Sequence, residues 1–513
     1  MIFFRKYKKM QNSSQQTNNN SQTQKSISSE LMDNVTEIKS IFSDTPDLVI
    51  RHIVIKQTDS KAALIYLSGI TDSQTIYNHV LSPLLFEENK ENNEADLKVS
   101  LGHIKEVTKW QEIETAILNG ECVLFVDEYS EAFIFGTPDF PKRSLEDSPL
   151  ESTLSGAHVG FTESIADNIG LIRKQIRNRE LKIKEITVGE RGKSKVSILY
   201  LEDVANPEVL QELETRIQKV DVDGIINSGV LTEFIEDNSY SPFPQLLLTE
   251  RPDFAASEIL QGRIVTVVDR SPNVIIGPTT FDSFFRTMDD YGSRWIVASF
   301  VRLLRYFGFF IAILLPAFYI AIISFHFEVI PLKLLFSIGV SRERVPFPPY
   351  LEAFIMEFTL EMLREAGIRL PAKIGQTVGI VGGIVIGQAA VEAGVVSNIM
   401  VIVVAITAIA SFIIPNYEMS SAIRIVRFPM MILATLFGFV GIVAGIMILI
   451  AHFISLESLG TPYSSPIAPL RFKDLKDVFI RFPVWSVEKR PLSTQAVQNR
   501  RANSNRPKGD EKG

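Results

Sequence analysis

Cysteine and grouped histidine are the clearest shortages in this chain of 513 residues. Cys122 is the only cysteine, which excludes an internal disulfide framework. The six histidines are scattered, with no HExxH motif and no Cys/His spacing typical of a zinc site. We therefore predict no metal site, no cofactor, no catalytic residues and no enzyme activity. The N-terminus also lacks the apolar core of a signal peptide, since Arg5 follows only three apolar residues.

Charged residues are missing from three long tracts. Residues 306–327 and 428–456 contain no Asp, Glu, Lys or Arg, and residues 374–417 contain only Glu392. A bilayer core needs about 20 apolar helical residues. The sequence therefore predicts a membrane protein with four or more crossings, and four are clear: 306–327, 376–396, 398–417 and 428–455.

The charges that are present favour one orientation. Residues 471–513 carry 11 Lys and Arg against 5 Asp and Glu, and three arginines precede the first apolar tract. Positive residues beside a span favour the cytoplasmic side and an anionic lipid surface. We expect both termini to be cytoplasmic, with membrane lipid as a partner and no nucleic acid.

The fold class predicted is α/β plus membrane α-helical, in six segments. Residues 31–290 as a whole read as a soluble α/β region, and two similar α/β modules lie in tandem within it. The boundaries are a disordered tail at 1–44, a first cytoplasmic module at 45–137, a linker at 138–154, a second cytoplasmic module at 155–290, a transmembrane domain at 291–457 and a basic cytoplasmic tail at 458–513.

The tandem modules are inferred from an internal repeat. Ile117–Gly120 leads into an apolar run that ends at Asp127, and Ile259–Gly262 leads into one that ends at Asp269. In both copies a short polar turn and a second apolar strand follow, which is the pattern of a hairpin after a helix stop. Chance recurrence is the alternative, but two matched blocks in the same order favour duplication.

An amphipathic helix is predicted before residue 371. Glu357, Glu361 and Glu365 recur every four residues beside an apolar face. One interpretation is an interfacial helix with a solvated acidic face. The other is an acidic vestibule that forms when several copies surround an axis.

The next apolar tract is marked by glycine. Gly375, Gly379, Gly383 and Gly387 share one helix face and allow another backbone to approach, either within one chain or between copies. Beside them lies a second row of residues at the same spacing: Ile380, Ile384, Gln388 and Glu392. We interpret that row as a polar path or subunit contact, because a Glu in an apolar tract needs water or a partner. A neutral Glu bonded within one chain is the alternative.

Several of these segments resemble the GerA family of spore germination proteins. The matching stretches are 345–348, 370–383 and 386–394 in the apolar half, and 160–163, 241–245 and 249–252 in the soluble half. The resemblance covers about residues 45–485. Arg270 departs from the family pattern, because a Gly is frequent at that hairpin turn.

The resemblance implies a function and partners. Such proteins are A subunits of nutrient germinant receptors in the inner membrane of bacterial spores. They act with a transporter-like B subunit and a lipoprotein C subunit, and the A subunit is thought to form a homo-oligomeric, nutrient-gated cation channel. The alternatives are a membrane-anchored scaffold and a secondary transporter, although no inverted repeat is visible.

Overall fold

The computed structural model describes residues 26–86, 99–101, 104–139, 159–370, 387–472 and 474–501. The chain divides into two compact units. The first comprises Met1–Lys142 with Ile169–Lys182, and the second comprises Arg143–Asn168 with Ile183–Gly513. The second unit therefore contains both an α/β module and the apolar helices.

The first unit is built on a five-stranded antiparallel sheet of order β1-β2-β4-β5-β3. Its strands are β1 Leu48–Ile55, β2 Ser60–Leu67, β3 Ile104–Val107, β4 Cys122–Val126 and β5 Ala132–Phe135. Helices Leu31–Ile41 and Trp110–Leu118 pack on one face. A helical stretch in three pieces, Ser73–Thr75, Ile76–Leu81 and Ser82–Phe86, packs on the other. Alternate residues of β2 fill the two layers because successive side chains of a strand point to opposite faces.

The second unit repeats this sheet in the order β6-β7-β9-β10-β8. Its strands are β6 Leu181–Val188, β7 Ser194–Leu201, β8 Leu247–Thr249, β9 Ile264–Val268 and β10 Val274–Gly277. Helices Pro207–Gln218 and Ser228–Ile235 contribute to the core on one face of the sheet. The helix Pro252–Leu260 also contacts this sheet.

Both predicted α/β modules are present, and their shared strand order is what a duplication would produce. A further similarity lies toward the N-terminus of each. Asn34 bonds the backbone of Ser28 through both amide atoms, and Asn168 bonds Thr162 in the same way. Both asparagines lie in helices that precede the first strand of their sheet, Leu31–Ile41 and Ile165–Gln175. Each repeat therefore includes a helix upstream of the blocks that predicted it.

The hairpin turns also match in backbone conformation. Glu128 and Arg270 have φ of 72° and 65°, in the left-handed region. This conformation favours glycine because it has no Cβ. The departure at Arg270 is thus a side chain placed at a position where glycine fits without strain.

Two predicted boundaries differ from the structure. The tail predicted at 1–44 contains Leu31–Ile41, whose residues Leu31, Val35 and Ile38 are buried in the first core. The tail predicted at 458–513 contains two described stretches, 458–472 and 474–501, that pack on the second module. Val497 donates its backbone N–H to Val204, Arg490 donates to the Leu260 carbonyl, and Leu459 lies in the second core. Leu31, Val35 and Ile38 follow the i, i+4, i+7 spacing of an amphipathic helix, which was an available signal. The C-terminal segment is held largely by hydrogen bonds to the module, which leave no periodic pattern in the sequence. Of the predicted linker, residues 140–154 lie outside the described residues.

The apolar half contains two helices long and apolar enough to cross a membrane, Trp295–Phe325 and Tyr417–Ser455, among the described residues. We call the first the long helix. The other helices are Leu332–Arg342, Pro349–Arg369, Gly387–Glu392 and the short apolar helix Asn398–Phe412. Pro349–Arg369, named here the glutamate helix, confirms a helix at the predicted place. Its predicted amphipathic pattern is wrong in the single chain, because Glu357 is buried whereas Phe358 and Met362 are 62% and 58% exposed.

Tyr417–Ser455 folds back on itself at Gly438, and we call it the hairpin. Gly438 has non-helical angles, φ 58° and ψ −135°. In a straight helix Met430 and Gly445 would lie about 22 Å apart along the axis. A Cβ built on Gly445 would instead lie 2.5 Å from the Met430 sulfur. The predicted single crossing at 428–455 therefore contains a reversal, and the hairpin has two antiparallel arms of roughly 25–30 Å each.

Candidate functional site

The glutamate helix is tied into the helix bundle by a buried ion pair. Glu357 pairs with Arg427 of the hairpin, and both side chains are fully buried. Arg427 also donates to the Ala312 carbonyl of the long helix and to Ser411 Oγ of the short apolar helix, both at 2.7 Å. One guanidinium thus connects four helices. Glu357 differs from its predicted place in an exposed vestibule because Arg427 holds its carboxylate inside the bundle.

The other two vestibule glutamates are paired nearer the surface. Glu361 lies 3.0 Å from Arg424 and 3.5 Å from Arg364. Glu365 lies 2.6 Å from Arg369, and both side chains are exposed. The acidic row therefore becomes less buried along the glutamate helix. A vestibule lined by Glu361 and Glu365 requires several copies of the chain and stays a prediction.

Glu352, one turn earlier, is a functional candidate that the sequence reasoning missed. Its carboxylate is fully buried, lies 2.9 Å from Arg342, and accepts the Ser397 backbone N–H at 2.9 Å. Ser397 caps the short apolar helix and its Oγ is 3.1 Å from Tyr319 Oη of the long helix. Spacing gave no signal, because five residues along a helix turn Glu352 about 140° around the axis from Glu357 and so away from the four-residue row.

The predicted polar row is described only in part. Gln388 Nε2 donates to Glu392 Oε1 at 2.9 Å, so these two residues share a helix face as predicted, and both are exposed in the single chain. Gly387 is buried, with Val401 as its neighbour. The remaining members of the glycine and polar rows lie outside the described residues: Gly375, Gly379, Gly383, Ile380 and Ile384.

A second charged cluster joins the α/β module of the second unit to the long helix. We call it the joint. Asp290 lies 3.1 Å from Arg302 and 2.9 Å from Arg305, and all three are buried. Arg302 also lies 2.9 Å from Asp477 of the C-terminal segment. Removing one partner of such a buried pair typically costs about 3–5 kcal/mol because the other charge stays uncompensated.

The joint continues through Arg286 and Tyr291. Burial alone would lower the pKa of Arg286, but the Asp282 and Asp477 carboxylates raise it well above its ordinary value. Burial and the adjacent Asp477 carboxylate raise the pKa of Tyr291 to about 12, and its hydroxyl donates to Asp477 at 2.8 Å. The Arg286 cation and the neutral Tyr291 phenol therefore persist across the physiological pH range.

Potential metal ligands are dispersed in the described ranges. No group of three or more His, Cys, Asp and Glu there is arranged to hold a metal ion. What the geometry offers is a set of fixed charges between helices, and one polar pair, Gln388 and Glu392, exposed beside an apolar region. Such an arrangement can position helices and offer a polar surface to water or to another chain.

Comparison with known proteins identifies the family. A family model described as "Bacillus/Clostridium GerA spore germination protein" matches residues 36–493. Spore germination protein KA of Bacillus subtilis is 40% identical over 473 residues, covering 91% of this chain and 87% of the relative. Spore germination protein B1 of the same organism is 40% identical over 477 residues, covering 92% and 99%.

A solved structure also resembles part of the chain. It is the N-terminal domain of the A subunit of the Bacillus megaterium spore germinant receptor GerK3, which is 29% identical. The match covers 51% of this chain and 99% of that one, with a TM-score of 0.40. With the profile match spanning most of its length and two relatives at 40% identity, the chain belongs to the GerA family of spore germination proteins.

Proposed function

We propose that this chain is the A-type subunit of a nutrient germinant receptor in the spore inner membrane. Family membership supports the germination role. The transporter-like B subunit and the lipoprotein C subunit that the family resemblance implies are its proposed partners. Nutrient binding would fall mainly to the B subunit, and a nutrient can shift this chain between two states only by binding one state better than the other.

The membrane placement is part of the proposal. The charge-free part of the long helix, residues 306–325, and the two arms of the hairpin have lengths that suit a bilayer core of about 30 Å. His452 near the end of the second arm lies 2.9 Å from Ser241 of the α/β module, and the joint lies at the start of the long helix. The α/β module therefore sits at one end of these segments, and the arginines there favour the cytoplasm.

The function proposed for the membrane half is a cation channel formed by several copies. The observation that carries it is the bonded pair of Gln388 and Glu392, exposed in the single chain beside an apolar region. Placing a carboxylate against lipid hydrocarbon is energetically costly, so this face would turn toward water or another copy of the chain. Ile380 and Ile384, in the same row, are the proposed constriction. Glu361 and Glu365 are the proposed mouth.

In this proposal Glu357 holds the glutamate helix in place and does not touch the ions. Its pairing with Arg427 supports that role, since one guanidinium contacts four helices. The arrangement also gives the channel a mechanical link, because movement of the long helix would pull on the helix that carries the mouth.

The experiment is cation flux through the purified full-length protein in liposomes, together with its oligomeric state in detergent. We expect oligomers and potassium efflux. We also expect Glu392→Leu to reduce efflux at least tenfold, since it removes the carboxylate from the path. Met447→Leu is the matched control, because Met447 is an exposed apolar residue on the hairpin and outside the row.

Two results would count against the channel. One is a monomer with no flux, which would favour the scaffold alternative. The other is equal flux for Glu392→Leu and Met447→Leu, which would place the path elsewhere. Normal oligomers without flux in the absence of the other subunits would limit the proposal to the assembled receptor, where the same pair of variants is compared in spores by cation release.

A further inference from the structure

An apolar cavity of about 370 Å³ lies between the long helix, the hairpin and the C-terminal segment. Its walls include Phe309 and Ile313 of the long helix, Met430 and Ile446 from the two arms, and Phe281 of the α/β module. A volume of this size lies within the range of small-molecule sites in proteins. None of its accessible lining is polar, so the occupant must be a hydrocarbon over most of its length.

Three polar residues line the cavity beside the α/β module: Asp282, Ser464 and Ser465. Their polar atoms contribute no accessible surface to it, so they offer no hydrogen bond to an occupant. The Ser465 hydroxyl, which has no hydrogen-bond partner among the described residues, is buried away from this space. The lining therefore suits a hydrocarbon alone, and the polar end of an occupant would remain at the opening.

The cavity is open toward the surface that faces lipid. Phe310, Ile450 and Ile454 line it and are 57%, 52% and 56% exposed. These residues lie on the long helix and the second arm, within the segments proposed to cross the bilayer. A hydrocarbon chain can therefore enter sideways from the bilayer without passing through water.

We propose that this cavity binds one acyl chain of a membrane phospholipid, whose polar headgroup stays outside the cavity at its lipid-facing opening. The inference uses the membrane placement given under the proposed function and does not depend on channel activity. Ile454 and Ile446 are eight residues apart on one arm, about 12 Å along the helix axis, so the site takes most of a chain and not only its tip. The bound lipid would pack against Phe281, close to the joint.

The test is native mass spectrometry of the full-length protein, extracted in mild detergent from membranes and washed. One phospholipid per chain is expected to remain. Ile446→Trp fills the cavity and should lower the retained fraction at least fivefold. Met447→Trp is the matched control, since this neighbouring residue is 66% exposed and does not line the cavity. Ile313→Phe fills it from the long helix and serves if Ile446→Trp does not fold.

The outcomes distinguish a phospholipid from a free fatty acid as the source of a bound acyl chain. A retained mass equal to a phospholipid, lost in Ile446→Trp or Ile313→Phe and kept in Met447→Trp, supports the site. A free fatty acid in its place overturns the phospholipid assignment. No retained lipid, or equal retention in filled and control variants, overturns the site itself. Cation flux is measured separately, so a failed channel and a failed lipid site are told apart.

Discussion

Replacing Arg427 with methionine is expected to destabilise the helix bundle strongly. The change leaves Glu357 fully buried without its partner, at a typical cost of about 3–5 kcal/mol. The Ala312 carbonyl and the Ser411 hydroxyl lose a donor as well. At roughly 2–4 °C per kcal/mol, the melting temperature of the purified protein in detergent should fall by at least about 6 °C.

The double variant Arg427→Met/Glu357→Met distinguishes a charge effect from a packing effect. Removing both charges and filling the space with apolar atoms is often neutral or stabilising. The double variant should therefore melt near the unmodified protein, well above Arg427→Met alone. The matched control is Arg369→Met. Its partner Glu365 lies on the glutamate helix, as Glu357 does, but is exposed. An exposed pair of this kind contributes only about 0.2–1 kcal/mol.

Two results would refute this reasoning. If Arg427→Met and Arg369→Met lower the melting temperature equally, burial does not determine how much an ion pair contributes to the free energy of unfolding. If the double variant is as unstable as Arg427→Met, the loss comes from packing around the guanidinium stem and not from the stranded carboxylate. Circular dichroism at 222 nm and tryptophan fluorescence should report the same transition for the comparison to hold.

Two further predictions concern the hairpin and the first unit. Gly438→Ala should destabilise the protein by about 1–3 kcal/mol because its φ of 58° and ψ of −135° suit glycine alone, whereas Gly367→Ala, with no atom within 4 Å of a new Cβ, should be neutral or stabilising in the same melt. Equal effects at both sites would contradict the reversal. Burial raises the pKa of the Cys122 thiol well above its ordinary value, so iodoacetamide at pH 8 should label it only after unfolding. Rapid labelling of the native protein would show that this core opens.

The elements that short stretches of sequence determine were the ones the sequence predicted. The matched hairpins around Asp127 and Asp269 required only strand periodicity and turn residues, and the glutamate helix required only its spacing. The bond between Gln388 and Glu392 follows from a four-residue separation on a helix. Each of these features is set within about fifteen residues of sequence.

The features that were missed depend on contacts far along the chain. Arg427 lies 70 residues from Glu357, and no sequence pattern near either residue indicates the other as its partner. Gly438 lies in an unbroken apolar run, where periodicity does not mark a reversal. Length was the one available signal, since a straight helix from Tyr417 to Ser455 would be about 58 Å long, nearly twice a bilayer core.

The two charged clusters are joined by one element, the long helix. Arg302 and Arg305 fix it to Asp290 near its start, and the Ala312 carbonyl accepts a bond from Arg427 two turns later. Between these points the helix is continuous, and a continuous helix transmits displacement along its axis. We therefore expect a shift of the α/β module at the joint to reach Ala312 through this helix, and with it the guanidinium that holds Glu357. Coupling between module and glutamate helix thus has a physical route made of buried, paired charges, each with a defined partner to break.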